Sequence, residues 1–495
     1  ENNRFVASSN IYKLYALETD GTIDLSADVP FTYDAGGTEG RRSAVPLLVS
    51  ARNHVYELGS NQMYTRTDFE YNSKARITKY IYDGETNTTD DDYYTTIDYH
   101  DDSNLLDNNI IGLPMQVKVH NGVSNAIMRV RRTDDIDTAT GTIGRIIVTL
   151  NGTESAITRM EYDQYGNLVR ITLPPNENSE QMVYKYGYDS ILNKYIESVE
   201  DSYGYVSSTI YDPKLDKILQ QKDITSNNTF YEYDTFGRLL KIKAPHEAND
   251  PTGYTLTMQY YPFYEDLSGV VEIDEEDFMP VALTNHYDEF NPGNDIQTYT
   301  FIDGLARVVQ VKKDIEMYLS EEYVEAMSVS GKTEYDVFGR VVKQLHPKYE
   351  SKDAAINFVI NEGTTDRISE VVYDEMDRVV VSSDAQDNLS YTYYSVETGG
   401  SIPLHKTRSV TDQNGSQEVI TEVFKDANGR VAYTNNVLTG TSPEDIITTF
   451  AYNAIGELVS YTDDEGIATS YTYDMAGRKI QMVHPDNGTT NYVYD

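Results

Sequence analysis

Residues 471–482 read YTYDMAGRKIQM, and the fold can be inferred from this one stretch. Tyr471 and Tyr473 alternate with polar residues, which is the period of two expected for a strand with one wet face. Asp474 opens a turn, because its short carboxylate can accept backbone N–H groups from the residues that follow. Gly477 lies where a hairpin turn commonly needs a positive φ. The stretch therefore predicts a strand, a tight turn and a second strand.

The same Tyr-Asp-x-x-Gly-Arg unit recurs along the chain. Clear copies begin at Tyr162, Tyr233 and Tyr335, and weaker copies begin at Tyr373, Phe424 and Tyr452. The stretch 301–310, FIDGLARVVQ, is a variant hairpin with Asp-Gly as its turn. The residues that we assign as structural turn residues are Tyr162, Asp163, Gly166, Tyr233, Asp234, Gly237, Arg238, Asp303, Gly304, Tyr335, Asp336, Gly339, Arg340, Tyr473, Asp474, Gly477 and Arg478.

The length of the chain supports a repeat array. Degenerate turns at Tyr188 and Tyr211 precede the copy at Tyr233 by steps of 23 and 22 residues. Periods of about 20–50 residues mark arrays of supersecondary units. The chain has 495 residues, whereas a single core stops growing near about 250–300 residues. The character of the sequence is uniform along the chain, and its 43 tyrosines suit the faces of β-sheets. We therefore predict an all-β fold of repetitive antiparallel hairpins.

Composition excludes several classes of function. The formal net charge is -40, and a chain this acidic repels nucleic acid and anionic membrane surfaces. The chain has no cysteine, so disulfides, cysteine nucleophiles and cysteine metal sites are excluded. No apolar run approaches the ~20 residues that span a bilayer. The sequence begins at Glu1 and ends where another turn should begin, so we expect it to be a piece of a longer protein.

Two regions divide the chain by the clarity of their repeats. Residues 1–159 are predicted to be divergent strand-rich repeats, with residues 1 to about 40 irregular apart from a turn at 33–37. Residues 160–495 are predicted to be the YD array, with an insertion near 245–295 that contains the acidic run 272–277. Residues 314–328 fit a helix and strands equally well, and 352–362 fit a short helix.

Candidate chemistry is sparse. The eight histidines form no paired metal-binding motif. Gly331-Lys332-Thr333 lacks the earlier glycine of a phosphate loop, because position 326 is Ala326, and it leads into a strand instead of a helix. The run Asp90-Asp91-Asp92 offers carboxylates but lacks the spaced ligands and central glycine of a calcium loop, which favours a solvated acidic loop.

The aspartates of the repeat turns are interpreted as structural. A catalytic group is needed once, whereas a turn residue is needed in every hairpin, and no single pair of carboxylates stands out for acid/base chemistry. We therefore predict no catalytic, cofactor-binding or metal-binding residue, and the protein is predicted not to be an enzyme.

The repeats at 301–310, 329–336 and 452–495 resemble the YD or RHS repeats of bacterial polymorphic toxins, insecticidal Tc toxins and animal teneurins. The longer context is most similar to the RHS region of Tc-toxin B-component and SpvB-like proteins. The resemblance covers residues 160–495 strongly and the earlier residues weakly. It implies a long β-sheet that spirals into a hollow shell around a toxic C-terminal polypeptide.

Some features depart from that family. Ala306 and Asp377 stand where the turn glycine is usual, so these hairpins are expected to bend differently. The self-cleaving aspartyl protease site and the toxin domain that the family carries after its repeats have no counterpart in this sequence, so no catalytic residue is carried over.

The resemblance thus implies the structural wall of an RHS-repeat shell in a secreted or cell-surface bacterial virulence protein. Its expected partners are the rest of the same polypeptide, with further shell repeats and the enclosed toxin domain, and a delivery component. No nucleic acid, membrane insertion or cofactor is expected. The alternatives are an adhesion or glycan-binding surface with exposed tyrosines, and an enzyme whose site is formed by the insertion near 245–295.

Overall fold

The structure of the protein is a computed structural model. It describes residues 5–18, 21–26, 44–57, 62–85, 88–247, 253–267, 278–319, 321–330, 332–358, 366–398, 402–412, 418–438 and 444–494. The predicted turn at 33–37 and the acidic run 272–277 lie outside these residues.

Strands account for almost all regular structure in the described residues, as predicted. They are β1 Val6–Leu17, β2 Ile23–Asp24, β3 Ala44–Val55, β4 Met63–Tyr71, β5 Ile77–Glu85, β6 Tyr93–Tyr99, β7 Pro114–Asn121, β8 Ile127–Ile136, β9 Ile143–Thr149, β10 Ser155–Tyr162, β11 Leu168–Pro175, β12 Gln181–Tyr188, β13 Ile196–Glu200, β14 Val206–Asp212, β15 Lys217–Lys222, β16 Asn228–Tyr233, β17 Leu239–Lys243, β18 Leu256–Tyr261, β19 Val281–His286, β20 Ile296–Ile302, β21 Val308–Leu319, β22 Glu322–Ser330, β23 Thr333–Tyr335, β24 Val341–Leu345, β25 Lys348–Ser351, β26 Ile368–Tyr373, β27 Val379–Ser383, β28 Leu389–Glu397, β29 Leu404–Asp412, β30 Glu418–Lys425, β31 Val431–Leu438, β32 Glu444–Tyr452, β33 Leu458–Thr462, β34 Ala468–Tyr473, β35 Lys479–His484 and β36 Gly488–Asn491. The helical segments among the described residues are α1 Ser103–Asp107 and two 3-10 turns, Tyr264–Leu267 and Lys352–Ala354.

The strands form two long antiparallel sheets of 23 and 13 strands among the described residues. Most pairs join strands that are consecutive in the chain, and β3 to β10 form one such series. Among the described pairs, β1–β3 and β24–β26 skip one strand and β22–β25 skips two. The predicted all-β fold of repetitive antiparallel hairpins is therefore confirmed.

The chain divides into two compact units. Unit 1 contains residues 1–184, 392–410 and 418–495, and unit 2 contains residues 185–391 and 411–417. In unit 2 the side chains of Val281, Leu283, Phe301 and Met327 form a buried cluster on strands β19 to β22. Ala355 and Ile356, which follow the second 3-10 turn, pack into the same cluster. The residues after β25 therefore close one face of this sheet.

One open alternative is decided and two sequence-based expectations are corrected. Of the two alternatives for residues 314–328, the strands are observed: residues 314–319 belong to β21 and 322–328 to β22, and the two strands pair directly. Residues 6–17 are strand β1, which pairs with β3 along its length, and are not irregular. The predicted helix at 352–362 is reduced to one 3-10 turn at 352–354 in its described part.

The repeat turns share one backbone geometry. In the turn at Asp474, the Asp474 N–H donates to the Arg478 carbonyl and the Gly477 N–H donates to the Asp474 carbonyl, at 3.0 and 3.1 Å. Gly477 has φ 88°, and the glycines at the matching position of the other copies also have positive φ. The register shifts by one residue beside the turn, between Thr472 and Tyr473. This combination is a five-residue hairpin turn with an adjoining bulge.

The turns at Asp303 and Asp374 keep this geometry although the left-handed position is not a glycine. This corrects the expectation that they bend differently. Ala306 has φ 59° and Asp377 has φ 60°, so each occupies the left-handed region itself. Their N–H groups still donate to Asp303 and Asp374 at 2.9 and 3.2 Å. The left-handed residue is Ala306 and not Gly304, so Asp-Gly is only the first half of that turn. The fixed geometry of the flanking strands outweighs the backbone strain at one residue.

Ala306→Gly is expected to stabilise the protein by roughly 0.5–1 kcal/mol. It relieves a left-handed penalty of about 1–2 kcal/mol and adds unfolded-state freedom of about 0.4–1 kcal/mol. Urea unfolding midpoints measure the effect. Gly304→Ala in the same turn is the matched control, because Gly304 has ordinary φ and open space around its Cα, and it should not destabilise. A less stable Ala306→Gly variant would contradict the assignment.

Candidate functional site: a repeating clasp between neighbouring hairpins

The carboxylate of the turn aspartate binds both the backbone and a side chain. Oδ1 of Asp336 accepts the N–H groups of Phe338 and Arg340, each at 2.9 Å. Oδ2 of Asp336 accepts Nε–H of Arg340 at 2.7 Å. The same pattern recurs at the turns of Asp234, Asp303, Asp374, Asp426 and Asp474. The motif therefore places Asp and Arg four residues apart so that one carboxylate closes the turn and fixes the guanidinium.

The guanidinium then covers a tyrosine of the following hairpin. The Cζ atom of Arg340 lies 4.7 Å from the ring centre of Tyr373, and that of Arg307 lies 4.3 Å from the ring centre of Tyr335. Cation–π contacts of this kind are worth about 0.5–1 kcal/mol at exposed sites. Equivalent stacking joins Arg238 to Tyr260, Arg430 to Tyr452 and Arg478 to Tyr494.

The hydroxyl of that tyrosine completes the contact. Tyr373 donates to the Val341 carbonyl at 2.8 Å, and Tyr335 donates to the Val308 carbonyl at 2.9 Å. In each case the acceptor is the residue after the stacked arginine. Tyr260, Tyr473 and Tyr494 make the same bond to Leu239, Leu458 and Lys479. We call this unit of Asp, Arg and the following Tyr the clasp, and where it is complete it links one hairpin to the next. At Tyr473 only the hydroxyl bond is kept, because Glu457 precedes Leu458.

The clasp also occurs in the divergent region. Asn72 Oδ1 accepts the N–H groups of Lys74 and Arg76 at 3.0 and 3.1 Å. The Cζ atom of Arg76 lies 4.5 Å from the ring centre of Tyr99, and the Tyr99 hydroxyl donates to the Ile77 carbonyl at 2.8 Å. Residues 68–76 are therefore an eroded copy of the repeat, and the pattern Tyr-Asn-x-x-Ala-Arg at 71–76 is its signal in the sequence.

Two of the assigned residues sit in less complete copies. At Asp163 the arginine is replaced by Asn167, whose side-chain N–H donates to Asp163 Oδ2 at 3.1 Å. Tyr162 donates to the Ile143 carbonyl at 3.3 Å. Burial raises the pKa of Tyr233, which is consistent with a ring packed among neighbouring strands. All the assigned turn residues thus lie in turns or at the strand ends that flank them.

The carboxylates of Asp303 and Asp474 are held in their ionised form. The hydrogen bond from the Arg307 side chain, followed by that from its backbone N–H, lowers the pKa of Asp303. For Asp474 the largest effect is burial, which opposes ionisation, but the hydrogen bonds from the backbone and side chain of Arg478 outweigh it and the pKa is lowered. Acid therefore removes the charge on which the turn depends.

In unit 1 the tips of three turns dock on earlier strands. The Tyr82 hydroxyl donates to Asn428, and the Met475 N–H donates to the Leu150 carbonyl at 2.8 Å. Arg129 contacts the Glu457 carboxylate and donates to the Asp474 carbonyl at 2.9 Å. We call these contacts between residues 82–150 and the turns at Asp426, Asn453 and Asp474 the seam.

One turn at the seam lacks the usual pair of aspartate and arginine. Asn453 and Glu457 replace the usual Asp and Arg, and the Asn453 side-chain N–H donates to Glu457 Oε2 at 2.6 Å. The cation that the turn lacks comes from Arg129 on β8, which contacts Glu457 Oε1. Sequence reasoning treated this copy as weak, but its substitution fits a contact with a distant strand.

The acidic run 90–92 is also part of the seam, which corrects the expectation of a solvated loop. Asp90 is exposed, whereas Asp91 is 2% exposed. Asp91 Oδ2 accepts the Glu85 N–H at 3.0 Å and the Asn428 side-chain N–H at 2.7 Å. These two donors turn the carboxylate inward. Among the described residues, no group of three His, Asp or Glu side chains is arranged to hold a metal ion.

The insertion in unit 2 contains a polar cleft of about 250 Å³, lined by Tyr254, Asn285, Gly293, Asn294, Asp295, Gln297 and Lys352. Ligand pockets usually measure about 300–1,000 Å³. Its polar groups bond to one another and to nearby side chains, since Tyr254 contacts Asp295 and the Lys352 ammonium lies 2.8 Å from Asp314. The cleft is therefore small, and most of its polar groups have partners, while Oδ1 of Asp295 is buried without one.

The apolar tips of several other turns are exposed. Phe236 is 83% exposed and Phe338 is 78% exposed, and both occupy the third position of their turns. The docked turns have smaller residues there, and the neighbouring Ala454 is 4% exposed. Tip size thus differs between docked and exposed turns.

Comparisons with known proteins agree with this architecture. The RHS repeat family model matches residues 452–490. No curated protein sequence matches the chain. The crystal structure of TcdB2-TccC3 without its hypervariable C-terminal region has a TM-score of 0.73 and 13% identity over 99% of this chain. The crystal structure of TcdB2-TccC3 has a TM-score of 0.72 and 14% identity over 99% of this chain. The Photorhabdus luminescens Tc holotoxin pore has a TM-score of 0.72 and 13% identity over 99% of this chain.

The chain thus contains an RHS repeat, and along nearly its whole length it has the β-sheet fold of these Tc-toxin structures. The recognised resemblance to RHS/YD-repeat proteins of the Tc-toxin type is confirmed. The chain spans about a third of the solved chains, 30–32% of their length. The matched structures are themselves assemblies that contain TccC3. None of the helical segments in the described ranges has the length and apolarity needed to cross a membrane.

Tyr373→Phe tests the clasp. The change removes only the hydroxyl that donates to Val341, and it is expected to cost about 1 kcal/mol of unfolding free energy, as for one hydrogen bond. The control is Tyr203→Phe, because Tyr203 is 75% exposed and should change stability by less than about 0.5 kcal/mol. Equal stability of the two variants would show that the hydroxyl bond is not needed.

Asp474→Asn tests the ionised turn. The lowered pKa means that Asp474 contributes stability above its unfolded pKa of about 3.9 and loses it as pH falls through the folded value. Urea midpoints measured from pH 6 down to pH 3 should therefore fall less steeply in Asp474→Asn than in the wild type. The exposed Asp464→Asn variant should keep the wild-type slope. An unchanged slope in Asp474→Asn would contradict the role of the charge.

Proposed function

We propose that the chain is a structural wall of an RHS-repeat shell that encloses and protects a toxic C-terminal polypeptide of a secreted bacterial toxin. The wall consists of divergent strand-rich repeats at 1–159 and the YD/RHS array at 160–495, with the insertion near 245–295. It is not an enzyme, and its assigned turn residues serve the architecture.

The observation that carries the proposal is the direction of the repeat tyrosines. Tyr335 and Tyr373 lie under the arginine of the preceding hairpin and donate to its backbone. A tyrosine used in this way joins one hairpin to the next and is not presented to a ligand. A single hairpin is marginal in water, so linked neighbours are what a long wall requires.

The proposed partners follow from the assignment of the chain as a shell wall. They are the remaining shell repeats and the enclosed toxin domain of the same polypeptide, together with a delivery component. The solved neighbours support this set, because they are complexes of TcdB2 with TccC3 and a Tc holotoxin pore. The net charge of -40 suits a soluble wall outside the cell and disfavours nucleic acid as a partner.

The alternative is an adhesion or glycan-binding surface, and the exposed turn tips favour it. Phe236, Phe338, Tyr165 and Tyr203 present aromatic faces to solvent. Aromatic faces can stack on sugars, and exposed apolar groups mark interaction sites when they are contiguous. The tips remain secondary because the tyrosines of the motif itself are turned toward their neighbours.

Electron cryomicroscopy of the full-length parent protein tests the proposal. We expect a closed shell with density inside and this chain in its wall. Limited proteolysis of the intact particle should leave the enclosed polypeptide uncut until the particle is denatured. An open, empty sheet with an accessible outer groove would reject encapsulation and support the adhesion reading.

A further inference from the structure

The seam of unit 1 contains a cluster of buried carboxylates. Glu85 and Asp91 are each 2% exposed. Neither carboxylate oxygen of Glu85 forms a well-aligned hydrogen bond in the described part of the chain, where only the Ala427 N–H lies close enough to favour its anion, and Oδ1 of Asp91 and Oδ1 of Asp92 are likewise buried without a partner. Leaving a buried acceptor unsatisfied costs about 1–3 kcal/mol, and more when it is charged. Four such oxygens at one place call for a neutralising species.

The cluster is built by close packing over two glycines. A Cβ atom on Gly84 would lie 2.2 Å from Oδ2 of Asp91. A Cβ atom on Gly122 would lie 2.7 Å from Cβ of Asp92, and the Gly122 N–H donates to the Asp92 carbonyl at 2.8 Å. The acidic loop therefore lies directly on the strands and cannot turn its carboxylates outward without breaking these contacts.

Few positive charges face this cluster. Asp83, Asp91 and Asp92 come from the same hairpin as Glu85, and Asp90 is exposed beside them. The docked turn contributes Asp426 and Arg430, and Tyr82 contributes a hydroxyl. Nε of Arg430 already binds Asp426 at 2.6 Å, and Nη2 lies 3.6 Å from Asp91. Arg430 therefore serves both Asp426 and Asp91 and makes no hydrogen bond to Glu85, and Arg66 on β4 lies 3.9 Å from Asp83.

We propose that Glu85 is a proton-controlled latch of the seam. With a proton on Glu85 the hairpin 77–99 stays docked on the turn at Asp426, and loss of that proton places an unpaired negative charge in the contact and loosens it. The latch acts on the junction between early strands and late repeats, so it works whatever the wall encloses.

The direction of titration agrees with this geometry. Burial, followed by the charges of Asp91 and Asp426, raises the pKa of Glu85 to about 7 from its ordinary 4.5. Burial, followed by Asp83 and Asp91, raises the pKa of Asp92 to about 6 from 3.8. A raised folded pKa means that docking is fully stabilised below the unfolded pKa and that this stability is lost as pH rises through the folded value.

Hydrogen–deuterium exchange tests the latch in the intact chain. The reporting amides are Glu85 and Gly122, whose N–H groups bond to the acidic loop, with rates corrected for the intrinsic pH dependence of exchange. The wild type should open at least about tenfold more readily at pH 8 than at pH 6. Glu85→Gln should retain only the roughly twofold rise that Asp92 contributes. The Arg340 amide in unit 2 is the internal reference.

Glu161→Gln is the matched control, because it removes one charge at an exposed site 3.7 Å from Arg170 and should behave as the wild type. Infrared spectroscopy of the wild type gives a second measurement that needs no variant, namely a protonated-carboxyl band at pH 6 that disappears by pH 8. The latch would be overturned if protection from exchange in the wild type did not depend on pH. It would also be overturned if exchange in Glu85→Gln rose between pH 6 and pH 8 as much as in the wild type. Recovery of protection at pH 8 on addition of calcium would also overturn it, in favour of a cation site.

Discussion

The carboxylate at the start of most repeat turns, replaced by an amide at Asn72 and Asn453, is the group on which the rest of the structure depends. It holds two backbone N–H groups, which fixes the turn, and one guanidinium, which fixes the arginine. The arginine then positions the tyrosine of the next hairpin, whose hydroxyl bonds back to the first. A local turn thereby becomes a contact between neighbours. Since each hairpin gains most of its stability from its neighbours, this single carboxylate couples local and array structure.

The local half of this arrangement could be predicted from sequence, and the distant half could not. Asp474, Gly477 and Arg478 lie within five residues of one another, so their pattern is visible in any window. The seam joins Tyr82 to Asn428 and Arg129 to Glu457, which are hundreds of residues apart. No periodicity links such pairs. Their only trace in the sequence is a departure from the motif, as where Glu457 replaces the arginine.

The sequence was also ambiguous where strand pairing overrides the local preference of the residues for a helix or a strand. Residues 315, 319, 323 and 327 are apolar at steps of four, which fits a helix as well as a strand. The pairing of β21 with β22 decides between them, because both strands complete the backbone bonds of a sheet already formed by β20. Ala306 shows the same effect on one residue, since its strained φ is imposed by the strands on either side.

The two kinds of buried carboxylate respond to pH in opposite directions. The turn aspartates, such as Asp474, are stabilised as anions by arginine and backbone donors, so acid weakens them. For Glu85, burial and the charges of Asp91 and Asp426 outweigh the Ala427 N–H and Arg430, so alkali weakens its contact. The difference arises from partners and not from burial, because both carboxylates are largely shielded from water. An array of clasps alone would grow more stable as pH rises from acid to neutral. The seam loses stability as pH rises. The folded chain is therefore most stable between the pH at which the turn aspartates become protonated and the pH at which Glu85 loses its proton.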